Sequence, residues 1–250
     1  MVCRYLELAA LLILQTFSPF RGTLFASPFA CKADALLQMA GLPYEREFAD
    51  VRKAPKGKLP VLKDGEQLIP DSDHIRHHLE RVHGVDFDGH MNDHDRAIGV
   101  AAQRVIEQHA YFINMHFRWS TYPDIIRDEY FADVPGFMRG FVFNLVAKQL
   151  AKTVRMQGLG RHSEDELREF LLEDFAAISQ LLADRPFFGG EKPSSYDAAI
   201  WGALHGMLAC NLPSPGKTIV EEHSNLVAYE QRFRDRVYGD GWPEDLIGSA

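Results

Sequence analysis

The chain of 250 residues is poor in cysteine, with only Cys3, Cys31 and Cys210, far apart and odd in number. No CxxC pair occurs, so neither a disulfide framework nor a cysteine zinc site is expected, and the expected compartment is reducing. Positive charge is also scarce. Lys and Arg total 27 against 35 Asp and Glu, a formal charge of −8. That balance argues against a nucleic-acid partner, because phosphate binding needs a basic surface. Long apolar runs are missing too. The N-terminal "MVCRYLELAALLILQTF" comes closest, but Glu7 interrupts it and it is too short to cross a bilayer. No small-x-small cleavage site follows closely, which argues against a signal peptide. The expectation is a buried strand over Leu11 to Phe17, preceded by an extension or a misplaced start. No later segment reaches spanning length, so no membrane span and a cytoplasmic protein are expected.

What is present is a globular composition, 46% hydrophobic and 25% charged, in a chain long enough to bury a core without staples. After the first strand, Phe29, Ala33, Leu36, Leu37 and Ala40 recur at helical spacing and predict a helix from Ser27 to Ala40. Gly41 fits the position past a helix end, and Pro43 prevents continuation. Tyr44 to Phe48 alternates as a half-buried strand. "RKAPKGK" is a basic loop. "LPVLKDGEQLI" reads as a hairpin turning at Asp64-Gly65. Asp71 or Ser72 then caps a helix through Ile75 and Leu79. The order β-α-β-loop-β-β-α is that of thioredoxin. Beyond residue 90 the patterns are helical: Asn92 to Trp119, Val134 to Met156, Ser163 to Ala183, Ser194 to Ala209 and Ser224 to Tyr238. The shift near "GVDFDGHMND" predicts two domains, an α/β thioredoxin-like unit over residues 1–88 and an all-α bundle over 89–250.

Three short stretches carry candidate chemistry. "SPF" at Ser27 to Phe29 opens the first helix. As N-cap, the Ser27 oxygen would accept from an amide two or three residues on, and its proton would stay free to donate. In "KLPVL", Pro60 leads a strand, where it can donate no ladder hydrogen bond. A cis Leu59-Pro60 bond and a trans proline on an edge strand both account for it. A cis turn would free the Leu59 backbone to pair with an extended peptide. "PDSDHI" opens the second helix, where free amides favour a carboxylate and Asp71 favours an ammonium.

Together these stretches resemble the glutathione-binding domain of the glutathione-transferase superfamily. "HAYFINMHFRWS", "GLGRHSEDEL" and "RPFFGGEKPSSYDAAIWG" look like its metaxin and failed-axon-connections branch, over about residues 11–240. Ala30 stands where many members of that branch carry cysteine, and "SPFRGTLFA" is longer than the usual loop there. The resemblance implies a glutathione-transferase fold with glutathione as cosubstrate. Ser27 would donate to the glutathione sulfur, and the Leu59 backbone would pair with the cysteinyl part. Asp71 and Ser72 would hold the γ-glutamyl end. Lys53 would take the glycyl carboxylate, with Arg52, Lys56 and Lys58 as competitors. It also implies a small electrophile as second substrate, a homodimer, and a structural capping box at Ser194 and Asp197. A thiolate at the helix mouth would gain a hydroxyl donor and the positive helix end, both of which lower its pKa.

Two further features have plainer readings. His74 and His78 share a helix face at i, i+4, which suits either a metal or solvent. No HExxH pattern is present, and no metal is expected. Cys31 is either an inert buried thiol or a partner for mixed disulfides with glutathione. The aromatics of "YFINMHFRW" divide between core packing and a lining for the electrophile. The expected function is a glutathione transferase. The rival is a non-catalytic, metaxin-like binding or scaffold protein that keeps the fold.

Overall fold

A computed structural model describes residues 11–247. The expected extension before Leu11, with Cys3, lies outside the described residues. Strand β1 (Leu12–Thr16) is followed by helix α1 (Pro28–Ala40) and strand β2 (Tyr44–Phe48). A short 3₁₀ turn (Val51–Lys53) leads to β3 (Val61–Asp64), β4 (Gln67–Pro70) and α2 (Ser72–His83). The sheet order is β2-β1-β3-β4, with β1 parallel to β2 and the other pairs antiparallel. The hairpin turns one residue later than expected. Asp64 still pairs with Gln67, so Gly65, at φ 56°, and Glu66 make the turn. β1 is not buried on both sides. Leu12, Leu14 and Thr16 are buried, while Ile13 and Gln15 are half-buried. α1 and α2 pack against each other over one face of the sheet, and only a 3₁₀ turn separates β2 from β3.

α1 is buried all round rather than along one stripe. Ala30 to Leu37 are all buried, Lys32 and Asp34 included, while Phe29 is only half-buried. The cause is a second neighbour. Helix α8 (Ser195–Leu208) runs along α1 on the side away from the sheet. Gly202 permits this approach: a Cβ there would lie 2.6 Å from the Pro28 carbonyl oxygen. Buried charge demands partners. Asp34 has them, accepting from Arg46 at 2.6 Å and from the Tyr238 hydroxyl at 2.9 Å. α1 ends as read, at Gly41 in the left-handed region with φ 63°.

The helical part begins with α3 (Asp93–Val105), a π turn (Ile106–Ala110) and α4 (Tyr111–Thr121), one unbroken run. Then come α5 (Pro123–Tyr130), α6 (Gly136–Gln157), α7 (Glu164–Leu182), α8, α9 (Pro215–Glu221), α10 (Ser224–Val237) and α11 (Glu244–Ile247). α5 and α9 are absent from the sequence reading because each is too short for a periodic stripe. Their signal is the proline at the first helical position, Pro123 and Pro215. α8 is the centre of the bundle, and Trp201 is its largest fully buried side chain. The capping box forms, with the Asp197 carboxylate accepting from the Ser194 amide at 2.8 Å. The linker is pinned from the same end. The Ser195 amide and hydroxyl donate to the buried Asp88 carboxylate at 2.8 and 2.7 Å. Among the described residues, no helix is long and apolar enough to cross a membrane.

Candidate active site at the helix mouths

Antiparallel pairing sets Gln15 near the end of β1 against Val61 at the start of β3, and Val61 against Pro70 at the end of β4. The chain entering β3 and the chain leaving β4 for α2 therefore sit at the end of the sheet where β1 finishes. The mouth of α1 returns there too, since the Ala26 amide donates to the Ser18 carbonyl at 3.0 Å. Lys32, in the second turn of α1, reaches Asp73 in the first turn of α2, Nζ to Oδ1 2.6 Å. So Ser27, Leu59, Pro60, Asp71 and Ser72 cluster at one end of the sheet.

Ser27 is the N-cap of α1, with extended backbone angles, but its side chain makes no capping hydrogen bond. The expected bond from its hydroxyl oxygen is thus not made. The reason lies in the first turn. Pro28 brings no amide proton, and the Ala30 and Cys31 amides both donate to the Ser27 carbonyl at 3.1 Å. The hydroxyl of this half-buried residue keeps both its donor and its acceptor capacity.

The Leu59-Pro60 peptide is cis, which decides between the two readings of the proline. The Pro60 carbonyl accepts from the Asp71 amide at 3.2 Å, while Leu59 enters no backbone hydrogen bond among the described residues. At the second mouth the cap is Asp71, at φ 87°, accepting from the amides of Asp73 at 2.9 Å and His74 at 3.4 Å. Ser72 is buried as the first residue of α2, and its hydroxyl has no partner among the described residues. Lys53 closes the 3₁₀ turn with its side chain exposed. Its competitor Arg52 is already forked onto Asp50, at 2.8 and 2.7 Å.

Several residues here were not read from the sequence. Lys32 is fully buried, its ammonium held by Asp73 at 2.6 Å and Glu107 at 2.7 Å. Gln103 donates to both carboxylates, and Arg104 flanks them. Burial alone would raise the Asp73 carboxyl, but the Lys32 ammonium outweighs it and holds the group down at about 2. The available signal was a lysine four residues before Leu36, on the apolar side of α1. Arg118 donates to the Ala26 carbonyl and to the Gly206 carbonyl at 3.2 Å each, tying α4 to the segment just before Ser27.

Cys31 is buried, in keeping with the inert alternative. Burial pushes its thiol up to about 12, and its sulfur sits 3.8 Å from the Phe25 carbonyl. Of the aromatic run, Ile113 and Phe117 join the core, while Tyr111 packs edge-on against Phe29 at 4.9 Å, two residues from Ser27. A cavity of about 440 Å³ opens elsewhere, between α4, α7 and α9, walled by Phe117, Tyr122, Arg168, Leu172, Pro213 and Thr218 among others. None of the helix-mouth residues lines it. The expected His74–His78 face does not form a pair: His74 is exposed, and His78 is buried against Asp64.

Two family models match the chain. One is described as the glutathione S-transferase N-terminal domain, over residues 28–125, and the other as the glutathione S-transferase C-terminal domain, over residues 171–233. Together they take in more than half of the chain. Among curated proteins, the isoprene-epoxide–glutathione S-transferase of a Rhodococcus strain is 29% identical over 231 residues, 87% of this chain and 95% of that protein. Failed axon connections of Drosophila melanogaster is 26% identical over 234 residues, 87% of this chain, and the chain spans only 56% of that protein's length. Human metaxin-2 is 22% identical over 213 residues, 82% of this chain and 80% of that protein. Among solved structures, a beta-etherase from Sphingobium superposes with a TM-score of 0.63 at 19% identity, over 89% of this chain and 94% of that one. That likeness speaks to the fold alone.

Proposed function

Since the chain belongs to the glutathione S-transferase family, on the branch of Failed axon connections and the metaxins, we propose that it is a glutathione transferase whose Ser27 activates the glutathione thiol. One observation carries this reading. The Ser27 hydroxyl is unspent, at the mouth of a thirteen-residue helix, on the sheet end shared by Leu59-Pro60 and Asp71-Ser72. In the proposal, glutathione lies along Leu59 as an added strand, its cysteinyl backbone meeting the unpaired Leu59 backbone. Asp71 takes the γ-glutamyl ammonium. The Ser72 hydroxyl and amide take the γ-glutamyl carboxylate, and Lys53 the glycyl carboxylate. The thiol then sits at the mouth of α1.

There the Ser27 hydroxyl donates to the sulfur, and the positive end of α1 adds to the preference for the thiolate. The thiol proton leaves to solvent. The sulfur lone pair forms a bond to an electrophilic carbon, and the pair of the broken bond leaves on the displaced group. Ser27 stabilises charge and does not itself attack. Tyr111 and Phe29 offer the electrophile an apolar wall beside the sulfur.

The rival is a metaxin-like binding or scaffold protein without turnover. It draws on the similarity to Failed axon connections and metaxin-2, whose names state no reaction. Retention on immobilised glutathione, followed by conjugation assays across electrophile classes, separates the two. Retention with turnover that falls in Ser27→Ala supports the transferase; retention with no turnover on any electrophile favours the rival. The proposal extends to a twofold homodimer in the cytoplasm. A monomer mass by light scattering at micromolar concentration would remove the dimer, and cell fractionation tests the compartment.

A further inference from the structure

The far end of α2 carries a cluster that the proposed chemistry does not use. Asp64 ends β3, and its Oδ2 lies 2.8 Å from Nε2 of His78 and 2.8 Å from Nε2 of His83. The side chains are 19%, 7% and 23% exposed in that order, so the group is sheltered but open to small ions. One ligand atom from each residue, the three together, falls within 4.8 Å. Neither Nδ1 has a hydrogen-bond partner among the described residues, so each ring is free to carry its proton there and turn a bare Nε2 inward.

We propose that Asp64, His78 and His83 form a zinc site, with one ion held by Oδ2 and the two Nε2 atoms and a water in the fourth position. Two imidazoles and a carboxylate are a ligand set that zinc accepts, and three protein ligands plus water is a familiar arrangement. Zinc bonds of about 2.0–2.2 Å set tetrahedral ligand atoms about 3.3 Å apart. The two Asp–His separations need to open by about half an ångström, a side-chain adjustment.

The placement gives the ion a structural role. Asp64 belongs to the hairpin, and the histidines to the last turns of α2, which Gly84 closes at φ 67°. Ser72, at the other end, is about 9 Å from His78 and about 16 Å from His83 along the helix axis. An ion here joins hairpin and helix well away from the helix mouths.

The test uses untagged full-length protein. Equilibrium dialysis against zinc should give one equivalent bound, and cobalt substitution should give the intense visible bands of a tetrahedral site. Zinc should also raise the melting temperature. Asp64→Asn and His83→Ala should each lose the tight equivalent and the melting shift. His83 is the safer change, at the helix end and partly exposed. His74→Ala and His77→Ala, exposed on the same helix, should keep both. Absence of tight zinc in folded parent protein, or zinc retained by folded His83→Ala, would overturn the proposal. It would leave these residues as a hydrogen-bonded trio only. A weak octahedral cobalt spectrum would count equally against it. Glutathione retention is read separately, so neither result depends on the other.

Discussion

Changing Ser27 to Ala removes one hydroxyl and leaves the positive end of α1 in place. If the hydroxyl donates to the glutathione sulfur, the thiolate loses a hydrogen bond to a charged group, about 1.5–3 kcal/mol. At about 1.4 kcal/mol per pKa unit, the bound thiol should titrate about 1–2 units higher in Ser27→Ala. The helix end still favours the thiolate, so the variant should stay below free glutathione. Loss of an N-cap usually costs about 1 kcal/mol. Because Ser27 makes no capping bond, its removal should cost clearly less than that. Ser27→Thr should keep most of the effect on the thiol. The assay is a titration of thiolate absorbance in the ultraviolet on complexes whose saturation is set by calorimetry. Cys31→Ser is the control. Its thiol is pushed up to about 12, outside the titrated range, so that variant should titrate like the parent. A Ser27→Ala complex with the parent pKa would refute the reasoning, and more so if Cys31→Ser shifted it.

Asp71→Ala should weaken glutathione binding by roughly 1–3 kcal/mol and also lower stability by about 1 kcal/mol through the lost cap. Asp71→Asn, which can still cap, should lose affinity at near-parent stability; calorimetry with unchanged affinity would remove Asp71 from the site. Lys32→Met should destabilise the fold by about 3–5 kcal/mol in urea titrations, because it strands a buried carboxylate. Asp73 is held at about 2 against 3.8 for the free group, so its contribution is present above about pH 4 and lost as pH falls toward 2. That part of the acid limb should flatten in Lys32→Met, and an unchanged limb would mean the pair is not coupled. Gly202→Ala drives a Cβ onto the Pro28 carbonyl and should cost about 1–3 kcal/mol in melting experiments. A neutral result would mean that α1 yields without strain.

The element order was legible because each element carries local punctuation. Gly41 and Pro43 stop α1, and Ser194 with Asp197 starts α8. The helix mouths were legible for the same reason, since caps and Pro60 are local signals. What sequence could not give was anything set by a distant neighbour. Helical spacing shows one apolar stripe on α1, whereas its other side is covered by α8, far along the chain. Lys32 then had no visible reason to be buried, and Glu107, 75 positions on, had no visible partner. The grouping of the histidines is likewise set by distant neighbours. Helical spacing pairs His74 with His78, whereas the fold brings in Asp64 from the hairpin and His83 from the helix end.

Asp88 bears on how far the molecule can be taken apart. Connections between domains are ordinarily exposed and easily cut. Here the connecting segment supplies the carboxylate that satisfies the first turn of the central helix, 107 positions downstream. A gene fragment ending at residue 88 would carry that carboxylate without its donors. The complementary fragment would carry the donors without the carboxylate. Neither half should behave as a self-sufficient module. Limited proteolysis should spare the linker, and unfolding should proceed as a single cooperative transition rather than two.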